Sequence, residues 1–104
     1  MKQQANNSAA NLEQIADGEF KITGDLDFQT VPAVWQKSTA LFEECSSIHI
    51  DLSDVIRSNS AGLALLIQWM RYARSRDKTI SFHHLPVQMQ EIARVCGVYN
   101  TLLT

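Results

Sequence analysis

The sequence has little of what nucleic-acid binding, membrane insertion or structural zinc requires. Its 104 residues contain nine Lys and Arg against eleven Asp and Glu, and a net charge of −2 leaves no basic surplus to neutralise phosphates, so we expect no nucleic-acid partner. The longest apolar run, Ala61 to Ile67, is too short to cross a bilayer, so we expect no direct membrane insertion. The two cysteines, Cys45 and Cys96, lack the CxxC spacing that is typical of structural zinc sites.

The first residues also lack the apolar stretch of a signal peptide. Lys2 is followed by polar Gln, Asn and Ser residues, so we expect a cytoplasmic chain whose two cysteines stay reduced. Residues 1–11 have no hydrophobic pattern and are predicted to form a flexible tail. Because 104 residues suffice for only one modest core, the sequence predicts a single domain at residues 12–104.

The hydrophobic pattern of this domain predicts strands and helices in alternation. Strands are expected at 12–16, 19–23, 47–52 and 79–84, and helices near 30–44, near 60–76 and from Pro86 to Gly97. Thr30 is a candidate cap for the first helix, and residues 98–103 are expected to pack back on the domain as a short apolar tail. The order β-β-α-β-α-β-α predicts the α/β class, with a four-stranded, mostly parallel sheet and helices mainly on one face.

Three small polar residues lead directly into the most apolar helix, and each of them can cap it: Ser58, Asn59 and Ser60. One apolar stripe of this helix has the spacing expected of a face buried against the sheet: Leu63, Leu66, Ile67, Met70 and Ala73. A second stripe consists of Leu65, Trp69 and Tyr72, continued by Arg76. Because Trp, Tyr and Arg often anchor interfaces, this stripe is a candidate partner surface, and the alternative is that a neighbouring helix covers it.

The polar residues near the predicted turns do not form a catalytic pattern. Ser60 has no GxSxG motif around it and no nearby histidine to act as a base, so a capping role is expected. Asp25 and Asp27 flank a predicted turn, where an aspartate commonly bonds its own backbone. No glycine-rich phosphate loop occurs, and we therefore expect no enzyme activity and no cofactor.

The histidines do not have the spacing of a metal site. His83 and His84 are adjacent in a predicted strand and are expected to point to opposite faces. His49 and Asp51 share one face of another strand, but two ligands are too few to hold an ion. The sequence therefore predicts no metal site.

Three segments, in this order and spacing, resemble the STAS domain family: Gly24-Asp25-Leu26-Asp27, Ile48–Ser53 and Asn59–Leu66. The resemblance extends over nearly the whole chain from about Leu12. It implies a small sheet flanked by helices and a protein-binding module without catalytic activity.

Two branches of the family are candidates. In anti-sigma-factor antagonists, the serine directly before the glycine is phosphorylated by a partner kinase, whereas this chain has Ala61 before Gly62. The small STAS subunit of the Mla phospholipid-transport ABC complex is more similar, because it has a hydroxyl residue at the position of Ser60, followed by small residues and leucines. In both branches an Asp usually occupies the position of Asn59.

The preferred resemblance implies that the chain binds the ATPase subunit of the transporter and thereby associates indirectly with its inner-membrane permease, on the cytoplasmic side. The residues expected to contact the ATPase are Asn59, Ser60, Ala61, Gly62, Leu65, Trp69 and Tyr72. In the alternative branch, Ser60 or Ser58 would be the candidate for phosphorylation.

Overall fold

The computed structural model describes residues 9–103 and contains four strands and four helices within them. The elements are β1 (Asn11–Ala16), β2 (Glu19–Leu26), α1 (Val31–Phe42), β3 (Ser47–Ser58), α2 (Ser60–Ser75), β4 (Thr79–His83), α3 (Val87–Val95) and α4 (Tyr99–Leu103). Most of the predicted N-terminal tail lies outside the described residues, and Asn11 begins β1. The domain boundary at residue 12 stays a prediction.

The four strands form one sheet in the order β1-β2-β3-β4. β1 pairs with β2 in antiparallel fashion through the short turn at Asp17-Gly18, whereas β2, β3 and β4 run parallel. One helix joins each pair of parallel strands, as a parallel crossover requires. The predicted α/β class and mostly parallel sheet are therefore confirmed, with β1 making the sheet mixed.

The helices lie on one face of the sheet, as the alternation of side chains in β3 indicates. Ile48, Ile50 and Leu52 are fully buried, whereas His49 is exposed on the opposite face. That open face is polar, and it includes an ion pair between Lys21 Nζ and Asp54 Oδ2 at 2.6 Å. The one-sided arrangement that the sequence predicts is thus confirmed.

Three elements extend beyond their predicted limits. β2 continues through Gly24 and Asp25 to Leu26, where the sequence predicted the end of the strand. β3 continues past Leu52 to Ser58, with shifts of register against β2, so Ser58 belongs to the strand and does not cap α2. The apolar tail contains a fourth helix, α4, whose Leu102 is buried in the core. A run of five residues is too short to give a clear helical period, which explains why the sequence predicted only an apolar tail.

Helix α2 buries both of its apolar stripes, because α1 lies beside it on the same face of the sheet. Leu63 and Leu66 are buried against the sheet side, as predicted. Leu65 and Trp69 are 2% and 0% exposed, so the prediction that they form part of an exposed partner surface is wrong. Tyr72 is half-buried, with its ring 6.3 Å from that of Trp35 on α1.

Trp69 is fixed in the core by both packing and a hydrogen bond. Its indole Nε1 donates to Ser38 Oγ at 2.8 Å, and Ser38 Oγ donates to the carbonyl of Trp35 at 2.7 Å. The Phe42 ring lies edge-on to Trp69, with centroids 5.6 Å apart. The bond from Trp69 provides a partner for its fully buried indole N–H, so α1 and α2 meet in one specific register.

We therefore expect Trp69→Ala to destabilise the isolated domain by about 3–5 kcal/mol and Leu66→Ala by about 2–5 kcal/mol, through lost burial and the cavity left behind. Gln68→Ala, on the exposed face of the same helix, should stay within about 0.5 kcal/mol of the wild type. Urea denaturation followed by circular dichroism measures all three. A wild-type unfolding midpoint for Trp69→Ala would contradict the assignment of Trp69 to the core.

Candidate partner-binding surface

The carboxyl ends of β2 and β3 and the starts of the helices that follow the parallel strands meet at one edge of the sheet. We call this edge the carboxyl rim; it comprises residues 25–30, 56–60 and 87–88. At the rim, Asp25 and Leu26 of β2 pair with Arg57 and Ser58 of β3. A polar depression opens there, lined in part by Asp25, Arg57, Asn59 and Gln88.

The loop from β2 to α1 is held by its own side chains. Asp27 Oδ1 accepts hydrogen bonds from the backbone N–H groups of Gln29, at 2.8 Å, and Thr30, at 3.0 Å. Thr30 Oγ1 donates to the carbonyl of Asp25 at 2.8 Å. Thr30 was expected to cap α1, but its hydroxyl makes no cap bond to the helix, because it bonds back to the loop. The loop therefore presents Phe28 on a fixed backbone.

The start of α2 is capped by Asn59, whose Oδ1 accepts a hydrogen bond from the N–H of Ala61 at 2.8 Å. This confirms the predicted capping role of Asn59. Ser60 is the first helical residue, so the expectation that it caps α2 is wrong, and its side chain is exposed on the rim. Ser58 is buried, and its hydroxyl donates to the carbonyl of Asn59 at 3.2 Å.

Gly62 allows the first turn of α2 to lie close to its neighbours. A Cβ atom at this position would overlap Ser58 Oγ and would lie 3.1 Å from both Leu26 Cβ and Met89 Cε. These atoms belong to β3, β2 and α3, so the helix start is enclosed on three sides. Because Gly62 has no side chain, these three elements can pack closely around the start of α2.

Three large apolar side chains are exposed on the rim: Phe28, Ile56 and Val87, each between 67% and 71% exposed. They come from the β2–α1 loop, the end of β3 and the start of α3. Scattered apolar residues are normal on a surface, but three from separate elements at one edge are candidates for a contact surface. Sequence reasoning missed all three, although an apolar residue inside the Asp27–Thr30 turn was a usable signal for Phe28.

The predicted site residues are divided between surface and interior. Asn59 and Ser60 lie exposed on the rim, whereas Ala61 and Gly62 are buried beneath it. Leu65 and Trp69 lie in the core, and Tyr72 lies more than three helical turns away from Ser60. The structure thus brings Asn59 and Ser60 together with Phe28, Ile56 and Val87, and leaves the aromatic stripe out of the rim.

The histidines lie together on the open face of the sheet. His49 Nδ1 is 3.4 Å from His83 Nε2, and Ser81 Oγ is 2.8 Å from the first and 3.2 Å from the second. His84 follows the strand with φ of +62°, and its Nδ1 lies 3.0 Å from Asp51 Oδ1. The prediction that His83 and His84 point to opposite faces is therefore wrong, because His84 lies outside β4 and does not follow strand alternation.

Within residues 9–103, no three His, Cys, Asp or Glu side chains are placed to hold a metal ion together. No helix in the same range is long and apolar enough to span a membrane. The rim itself contains hydroxyl, amide and carboxylate groups beside apolar ones, and the Ser58 hydroxyl is engaged with the backbone. This arrangement is suited to contact with another protein.

The model of the family described as "Mlab, STAS domain" matches residues 13–104, and the chain belongs to this family. It is a STAS domain of the MlaB type. A comparison with curated protein sequences found no match.

Solved structures share the fold along almost the whole chain. A chain of the Acinetobacter MlaFEDB complex in its ATP-bound Vtrans2 conformation is 26% identical, with a TM-score of 0.74 over 88% of this chain and 98% of that one. An anti-sigma factor antagonist from Mycobacterium paratuberculosis is 19% identical, with a TM-score of 0.78 over 95% and 87%. The antagonist SpoIIAA in its unphosphorylated form is 20% identical, with a TM-score of 0.71 over 92% and 86%. At these identities the two antagonists indicate the fold alone.

Gly62→Ala should destabilise the domain by about 1–3 kcal/mol, because the added methyl group overlaps Ser58 Oγ and overpacks the helix start. A Gly→Ala change at an unconstrained helix position would stabilise by up to about 1 kcal/mol, so the sign of the effect is diagnostic. Thermal unfolding of both proteins measures it. A raised melting temperature for Gly62→Ala would contradict the close approach.

The pH dependence of stability should include a contribution from Asp51. Desolvation, which raises its pKa, is outweighed by hydrogen bonds from Ser53 and His84, so the pKa of Asp51 is lowered below its ordinary value. A lowered folded-state pKa stabilises the protein above the unfolded-state pKa, and this contribution is lost as the pH falls through the folded-state value. Asp51→Asn should therefore reduce the free energy of unfolding at neutral pH, and the difference should vanish well below about pH 4. An equal difference at both pH values would contradict this.

Proposed function

We propose that the chain is a non-catalytic subunit that binds and positions the ATPase of an Mla-type phospholipid-transport ABC complex. The observation that carries the proposal is the small size of the side chains at the start of α2. Ser60 is exposed there, and the following Ala61 and Gly62 are buried. Small side chains there allow another backbone to approach closely. Phe28, Ile56 and Val87 add apolar contact area around this point.

Membership of the MlaB-type family supports this choice of partner, as does the similarity to a chain of the MlaFEDB complex. Under this proposal the ATPase carries out the hydrolysis of ATP, and the STAS subunit contributes only contacts. We propose further that its association with the permease is indirect and that it lies at the cytoplasmic side of the inner membrane. The three His side chains lie on the open face of the sheet, apart from Ser60 on the rim, which favours a binding role over nucleophilic catalysis.

The alternative is an anti-sigma-factor antagonist that is controlled by phosphorylation. The fold that this chain shares with SpoIIAA is compatible with that function. Ala61 has no hydroxyl at the position where such antagonists are phosphorylated. Ser58 is buried and hydrogen-bonded, so a kinase could not reach it without local opening. Ser60 is exposed and is the remaining acceptor of the two candidates.

Ser60→Arg should weaken binding to the ATPase subunit at least about tenfold, because a long charged side chain prevents close approach at the helix start. Ser53→Arg makes the same chemical change at an exposed position on the open face of the sheet and should bind like the wild type. Co-purification and isothermal titration calorimetry with the ATPase subunit measure binding, and circular dichroism checks that both variants are folded.

Wild-type binding by a folded Ser60→Arg variant would place the contact elsewhere. If the wild-type protein does not bind the ATPase, the proposed function is wrong. A phosphate mapped to Ser60 by mass spectrometry, together with a change in binding to an anti-sigma kinase, would favour the antagonist alternative.

A further inference from the structure

Two buried side-chain oxygens within residues 9–103 have no hydrogen-bond partner, and one of them lies on the rim. The first is Tyr72 Oη, between α1 and α2. The second is Asp25 Oδ1, in a carboxylate that is only 9% exposed. A buried carboxylate oxygen without a donor is costly, since burial removes the water that would otherwise solvate the charge.

The Asp25 carboxylate has few stabilising polar contacts within its own chain. Arg57 is 3.5 Å from Asp25 Oδ2, longer than a normal N–H···O bond, and the Arg57 side chain is 73% exposed. The Thr30 hydroxyl donates to the backbone carbonyl of Asp25 and not to its side chain. The fixed loop therefore holds the carboxylate in place and leaves it undersatisfied.

Asp27, two residues further along the chain, differs from Asp25 in its hydrogen bonding. Its carboxylate lies on the same rim, but Oδ1 accepts two backbone hydrogen bonds and stabilises the loop. Asp27 thus has a structural task within the domain. Asp25 has no comparable task among the described residues, although both belong to the Gly24–Asp27 segment.

The surroundings of Asp25 match a partner that brings a positive charge. Asp25 lines the rim depression together with Asn59 and Arg57, and the exposed Arg57 guanidinium makes a single 3.5 Å contact with the carboxylate. The exposed apolar side chains of Phe28 and Ile56 belong to the same rim and would exclude water on docking. In such a site a charge-assisted hydrogen bond is about twice as strong as a neutral one.

We propose that Asp25 is the charged recognition point of this surface and accepts a hydrogen-bonded Arg or Lys side chain of the ATPase subunit. This inference rests on the proposed function. The free domain bears an undersatisfied carboxylate, and the complex supplies its missing donor. Asp25 therefore contributes to binding and not to the stability of the isolated domain.

The experiment compares Asp25→Asn and Asp25→Ala with the control Asp77→Asn, which removes the same charge from an exposed position outside the rim. Calorimetric titration with the ATPase subunit should give at least tenfold weaker binding for both Asp25 variants and less than twofold for the control. The melting temperature of the free domain should not fall in either Asp25 variant, because no internal hydrogen bond is lost. Raising the salt concentration should weaken wild-type binding more than that of Asp25→Asn.

A lower melting temperature for both Asp25 variants would overturn the inference, since it would make the carboxylate a structural group. Unchanged binding by both variants, alongside the loss of binding by Ser60→Arg, would also overturn it and leave the proposed function standing. An equal loss for Asp77→Asn would show that binding responds only to the overall charge of the domain, and would overturn the inference too. Absence of ATPase binding by the wild type would instead overturn the proposed function, and the inference with it.

Discussion

The close approach of α2 to β2, β3 and α3 at Gly62 is the constraint on which the rest of the structure depends. Because no Cβ is present, Leu26, Ser58 and Met89 all lie against the first turn of the helix. The ends of two parallel strands and the start of α3 are thereby held at one point. Any larger residue would separate these elements and remove the flat approach to Ser60, so the geometry of the rim follows from a core requirement.

The pairing of α1 with α2 fixes the other side of the rim. The hydrogen bond from Trp69 to Ser38 joins the two helices, and the Phe42 ring fills the space between Trp69 and the sheet residue Phe20. Since α1 begins directly after the Phe28 loop, its register against α2 determines where Phe28 stands relative to Ser60. Trp69 thus affects the rim by fixing the position of α1 against α2, and not by contacting a partner itself.

The sequence predicted the fold well, because periodicity and helix signals are local. The alternation Ile48, Ile50 and Leu52 defined the central strand, and Asn59 marked the start of α2. The second stripe of α2 was misassigned, since an apolar face looks the same whether a partner or a neighbouring helix covers it. The apolar face of α1, with Val34, Ser38 and Phe42, is a signal that both helices bury wide faces against each other.

The site was only partly predictable, because its composition depends on which distant residues meet. Ser60 was identified from its position at a strand-to-helix turn, whereas Ile56 lay beyond the predicted end of its strand and Val87 lay within a predicted helix. Asp25 was interpreted as a turn residue, and that role belongs to Asp27. Only the tertiary structure reveals that one carboxylate of the pair is satisfied and the other is not.

The division of tasks between core and rim determines how changes in binding must be interpreted. Substitutions at Gly62 or Trp69 alter the placement of α2 or α1 and would weaken any contact on the rim indirectly, through the fold. Ser60 is exposed and Asp25 has no internal donor on its free oxygen, so changes there act on the surface while the core packing stays intact. A loss of binding at these two positions, at unchanged stability, therefore reports on recognition itself.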